Sequence, residues 1–76
     1  MIAAMPPTFY TAPNLPAHII IHHEGAWYAV PSTLTTPEVN WGQRRPMPAQ
    51  DLRRLTPMHN GSICAKMMAP VIMAAT

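Results

Sequence analysis

Five side chains in this sequence offer the nitrogen or sulfur ligands that a zinc ion prefers: His18, His22, His23, His59 and Cys64. A structural zinc ion takes four nitrogen or sulfur ligands, ordinarily supplied as two close pairs. His18 and His22 lie in an apolar, β-branched run. As strand residues they share one face, yet stand about 13 Å apart at the rise of an extended chain. His22 and His23 alternate to opposite faces. His59 and Cys64 flank the Asn60-Gly61 turn signal and offer one pair at most. The second pair is missing, so no metal site is expected.

Nucleophilic catalysis requires a thiol or hydroxyl beside a base that a third group orients. Cys64 lies in an apolar stretch, where a lone thiol packs as a small hydrophobe. Glu24, Glu38 and Asp51 are the only carboxylates, and no two are spaced as an acid/base pair. Gly25, Gly42 and Gly61 are scattered and make no phosphate-cradling loop. No cofactor is expected, and the chain reads as a non-enzyme.

The arginines are the strongest functional feature. Arg44 and Arg45, then Arg53 and Arg54, supply four of the five cations, and Trp41 is close by. Arginine and tryptophan are the residues that most often anchor interfaces, and a guanidinium grips carboxylates and phosphates bidentately. Arg44, Arg45, Arg53, Arg54 and Trp41 are therefore the candidate partner-binding residues. The plainer alternative is a solvated basic face, since exposed charges usually contribute little. Met67, Met68 and Met73 with Ile72 have the same ambiguity, between an adaptable binding strip and filler for an irregular core.

Composition sets the limits within which these groups act. The chain has 76 residues and a formal net charge of +2, with 49% apolar and 11% charged residues. That length makes a single small domain whose thin core supplies about 3–5 kcal/mol. The charge is far below the loading of a dedicated nucleic-acid binder. So few charged groups leave apolar and neutral polar surface exposed, which favours association with a partner or with another copy. A single cysteine fits a reducing compartment. Met1–Met5 lacks a basic signal-peptide start, and Ile63–Ala75 carries Lys66 and Pro70 and is too short to span a bilayer. A cytoplasmic protein with no membrane contact is expected.

The elements that would position these residues centre on His18–Val30, two β-rich runs about a Glu-Gly turn, which reads as a β-hairpin. A two-residue loop would force Glu24 to a positive φ, so a three-residue loop, His23-Glu24-Gly25, is preferred. It pairs Ile21 with Trp27 and Ile19 with Ala29, and makes Ile19, Ile21, Trp27 and Ala29 the core face. Residues 1–17 form a proline-rich extended arm in which Thr8–Thr11 makes a short edge strand. Thr35 N-caps a helical turn with Glu38 in a capping box, ended at Gly42. Residues 43–48 form a loop. A second short helix spans Pro48–Thr56, with Ala49, Leu52 and Leu55 on its buried face. Ser62–Lys66 is a strand after the Asn-Gly turn, and residues 67–76 form an apolar tail, a loose strand or arm.

The fold expected is α+β: a small antiparallel β-sheet built on the hairpin, with one or two short helices packed on one face. The division is a 1–17 arm, an 18–66 domain and a 67–76 tail. The function expected is that of a small regulator or inhibitor docking on a larger protein with an acidic surface, such as an enzyme of transcription, defence or nucleic-acid processing. Compact regulators encoded by phages and other mobile elements have this size. The alternatives are direct nucleic-acid binding, with Trp41 or Tyr28 stacking on bases, and a homo-oligomeric structural subunit.

Overall fold

The computed structural model describes residues 5–32, 36–59 and 63–74, with the side chains of residues 63 and 64 left aside. Five strands, β1 (Thr8–Thr11), β2 (His18–His23), β3 (Ala26–Pro31), β4 (Arg45–Pro46) and β5 (Thr56–Pro57), form one antiparallel sheet. Its spatial order is β4-β3-β2-β1-β5. Helix α1 (Pro37–Gly42) and helix α2 (Ile63–Ala74) complete the fold, with a single 3₁₀ turn at Ala49–Asp51. The protein is a small α+β domain, and both helices pack on the same face of the sheet.

The β2–β3 hairpin is where sequence expectation places it, but in the other register. Glu24 adopts φ 52° and Gly25 φ 78°, so the loop has two residues and both are left-handed. This is the backbone that best matches the twist of the flanking strands, and that match outweighs the steric cost of a Cβ at Glu24. His22 consequently pairs with Trp27, Ile21 with Tyr28, Ile20 with Ala29 and Ile19 with Val30. A one-residue slip moves every β3 side chain to the opposite face. Trp27 and Ala29 therefore leave the face of Ile19 and Ile21, which is shared instead with Tyr28, Val30 and Phe9.

Both faces of the sheet are covered. Ile20 and Ile21 point in opposite directions, yet each is 0% exposed. On the upper face, Trp41 from α1 and Ala65, Met68 and Ile72 from α2 cover Ile19, Ile21 and Val30. On the lower face, Leu15, Met47, Leu52 and Leu55 close over Ile20 and Ala29. The lower covering is irregular chain. The expected helix over Pro48–Thr56 is cut to one turn because Leu52 leaves it in an extended conformation, φ −94° and ψ 121°. Extension carries Leu52 and Leu55 across the sheet to β5, a span that a helix rising 1.5 Å per residue covers poorly. Arg54, at φ 53°, completes the reversal into β5.

Three other expectations change. β1 is an interior strand, paired with β2 on one side and with β5 on the other. The α1 cap is Thr36, whose hydroxyl accepts from the Val39 N–H at 3.3 Å while Pro37 opens the helix. Thr35, expected as the cap, lies outside the described residues, and Val39 at the third helical position cannot return a capping-box bond. Residues 63–74, expected as strand and tail, are a single helix with Pro70 inside it. Its Ala65, Met68 and Ile72 recur at helical spacing on the buried side. Lys66, Met67 and Ala69 are good helix formers that offset the backbone bond lost at Pro70.

Replacing Glu24 by Asn, which tolerates the left-handed conformation, should stabilise the domain by about 0.5–1 kcal/mol and raise its melting temperature. An unchanged or lowered melting temperature in Glu24→Asn would restore the three-residue loop.

Candidate functional site

The five candidate residues do not converge. Trp41 is 6% exposed and belongs to the core. It stands edge-on to Tyr28, with ring centroids 5.3 Å apart, and to His23 at 6.5 Å. It is a packing residue and presents no free face to a partner.

Arg44 is joined to it. Its guanidinium carbon lies 4.5 Å from the Trp41 ring centroid and 5.6 Å from that of Tyr28. Nη1 donates to the Trp41 carbonyl at 3.1 Å. That carbonyl belongs to the last turn of α1, where helix carbonyls lack intrahelical donors and cations meet the negative end of the dipole. A cation over two aromatic rings is worth about 0.5–1 kcal/mol at an exposed site. Arg44 thus acts as a C-terminal clamp for α1. A Trp and an Arg three residues apart at a helix end carry that signal in the sequence, and it is legible only once α1 is seen to stop at Gly42.

The remaining three arginines have no such use. Arg45 pairs with Ala29 through β4, and strand alternation places it on the lower side, away from the helices. Arg53 and Arg54 are exposed on the segment that crosses that same side on its way to β5. β4 and β5 are the two edges of the sheet, about 19 Å apart at four inter-strand spacings. Among the described residues none of Arg45, Arg53 and Arg54 makes a salt bridge. Their side of the sheet also holds an aromatic row that the expected register hid. His22 stacks on Trp27 with centroids 4.3 Å apart, and Tyr10 meets Trp27 at 5.4 Å. All three rings are partly exposed.

Elsewhere the chemistry is sparse. Among the described residues no three His, Cys, Asp or Glu side chains lie close enough to hold a metal ion. His23 is buried with Nε2 lacking a hydrogen-bond partner, and that atom is 3.9 Å from Oε1 of the exposed Glu24. A groove of ≈ 430 Å³ is lined by Glu38, Pro70, Val71 and Ala74, and a second of ≈ 220 Å³ by Pro6, Pro7, Thr8, Phe9, Ala65 and Ala69. Among the described residues Glu38 is the single titratable group lining either. No helix among the described residues is long and apolar enough to cross a membrane.

No family model, curated protein or solved structure matches the chain.

Trp41→Ala should cost about 3–5 kcal/mol, which is enough to unfold so small a domain. Trp27→Ala, at a half-buried position on the other face, should cost less and leave a cooperative melt. Circular dichroism of the two variants checks the ordering, and the reverse ordering would return Trp27 to the main core. Treatment with a strong chelator should leave the melting temperature unchanged; a fall would reveal a bound metal.

Proposed function

We propose that this is a cytoplasmic, non-catalytic binding protein that docks on a larger macromolecule with an acidic surface. The docking side is the lower side of the sheet, through Arg45, Arg53 and Arg54. The observation that carries the reading is the division of labour among the arginines. Arg44 is spent on clamping α1, whereas the other three are exposed, on one side and, among the described residues, without a salt bridge. Spread across the breadth of the sheet, they suit an extended acidic surface better than a small anion. The positive φ at Arg54 adds support, since backbone strain retained at an exposed residue tends to accompany function. A regulator or inhibitor works in this way, by occupying a surface that its target needs, and requires no pocket chemistry.

A second reading is direct nucleic-acid binding, favoured by the His22–Trp27–Tyr10 row on the same side as the three arginines. Partly exposed aromatics between cations are the composition of single-strand binding surfaces. Trp41 and Tyr28 do not serve as base platforms in this reading, because Arg44 already occupies their faces.

The partner recovered on immobilised protein from the native source should be titrated against Arg45→Glu and Arg53→Glu/Arg54→Glu. Each is expected to weaken binding, the double variant by at least about 2 kcal/mol if the contact is desolvated. The fold should persist, because exposed substitutions move stability by under about 0.5 kcal/mol. Affinity falling steeply and linearly in log salt identifies nucleic acid; a shallow dependence identifies a protein surface. Undiminished binding by both folded variants would remove the lower side as the docking surface.

A further inference from the structure

The lower side of the sheet presents aromatic rings as well as arginines. Tyr10 on β1, His22 on β2 and Trp27 on β3 stand on three adjacent strands. Tyr10 and Trp27 lean toward each other across β2, their ring planes 50° apart, while His22 lies on Trp27 at 24°. Both Tyr10 and Trp27 pack against the buried cluster of Ala12, Ile20 and Ala29. Their positions are therefore fixed before a ligand arrives, which removes an ordering cost of association. Among the described residues the Tyr10 hydroxyl, the Trp27 indole N–H and the His22 imidazole make no hydrogen bond, and none of these atoms is sealed from solvent. Rings with an apolar body held in place and a free polar tip are the side chains that line interfaces.

The geometry of the rings selects the ligand. A nucleobase needs a flat face laid parallel to its own. Here the rings already touch one another, too closely for a base to enter between them, and Tyr10 is tilted away from Trp27. Tilted faces with polar groups at the rim suit polyproline II. Its pyrrolidine rings pack on aromatic side chains, and its carbonyls, which have no internal hydrogen bonds, accept from outside donors. Length and charge agree. At about 3.1 Å per residue, roughly six residues of polyproline II span the ~19 Å from β4 to β5. Arg45 stands at the β4 end, and Arg53 and Arg54 lead into β5. Asp51 is the carboxylate on this crossing, while Glu24 turns toward His23 on the upper face. The surface is cationic at both ends and aromatic between them.

We infer that the lower side binds an extended proline-rich segment of a partner protein, about six residues of polyproline II with acidic residues at both ends. Tyr10 and Trp27 hold its pyrrolidine rings, and the Tyr10 hydroxyl and Trp27 N–H donate to its carbonyls. Arg45 takes one acidic end, and Arg53 with Arg54 the other. The inference rests on the protein-docking reading of the arginines and names the chemistry of the partner.

An NMR titration of the full chain tests it, with a synthetic peptide of six prolines between two pairs of glutamates as the probe. The indole N–H resonance of Trp27 should move, and that of the buried Trp41 should stay. Tyr10→Phe and Trp27→Phe each keep an aromatic ring and lose a donor. Each should weaken binding at least threefold with the circular dichroism spectrum unchanged. A peptide with the same glutamates and glycine in place of proline should bind at least tenfold more weakly. Equal binding of the glycine peptide would overturn the inference and leave attraction to the arginines intact. Ring variants that are folded and bind as tightly as the wild type would also overturn it. Tighter binding of oligothymidylate, with the Trp27 resonance moving, would overturn it in favour of nucleic acid. A Trp27 resonance unmoved by the proline peptide at millimolar concentration would end the inference, while the arginine variants titrated against the captured partner would still decide the docking reading.

Discussion

The left-handed pair Glu24-Gly25 determines where the β3 side chains go. With two residues in the loop, His22 meets Trp27 and Ile19 meets Val30; with three, each partner shifts by one and the faces exchange. Val30 and Tyr28 reach the helical layer only in the first arrangement, and Trp41 needs Tyr28 there to stack against. Arg44 in turn needs both rings. The route from a turn dihedral to the C-terminal clamp of α1 is thus a chain of direct contacts, and the position of Arg44 depends on each.

Covering both faces of a five-stranded sheet with so short a chain leaves little material for each layer. The upper layer has two helices, one of them six residues long, and the lower has irregular chain with a single 3₁₀ turn. Antiparallel sheets commonly leave one face to water. Here β2 reads as His-Ile-Ile-Ile-His-His, with apolar side chains on both sides, and such a strand requires two roofs. The lower roof is economical because it is extended: Met47, Leu52 and Leu55 are spaced along a path that also delivers the chain from β4 at one edge to β5 at the other. That path leaves Arg53 and Arg54 outside.

Much of this was legible in the residues, and the exceptions have physical causes. The hairpin, the Thr8–Thr11 strand and a short helix after Ser32 follow from β-branched runs, glycine and a threonine-proline start. The register does not, because the twist of the flanking strands offsets the general penalty on a positive φ at Glu24, and that twist is a property of the paired strands and not of the residue. Helix α2 was hidden by Pro70 and by an Asn-Gly signal that favours a strand after it; its buried positions are apolar, but so are most of the others, which erases the periodic contrast. The basic site was half legible. The arginines stand out by type and spacing, yet their separation into one clamp and three outward cations depends on β4, a two-residue strand that no propensity marks.

The spatial order of the strands has a further consequence in the time domain. β1 pairs with β5, so Tyr10 and Thr11 wait for Pro57 and Thr56, and the Met58 N–H closes on the Phe9 carbonyl at 2.8 Å. Synthesis from the N-terminus therefore delivers the whole sheet before any of α2. In that interval Phe9, Ile19, Ile21 and Val30 form an apolar surface with only Trp41 from α1 to shield it. Transiently uncovered surface of this kind is what makes incomplete chains aggregate. A chain halted short of α2 would hold all five strands without that roof, with Phe9, Ile19, Ile21 and Val30 open to their neighbours.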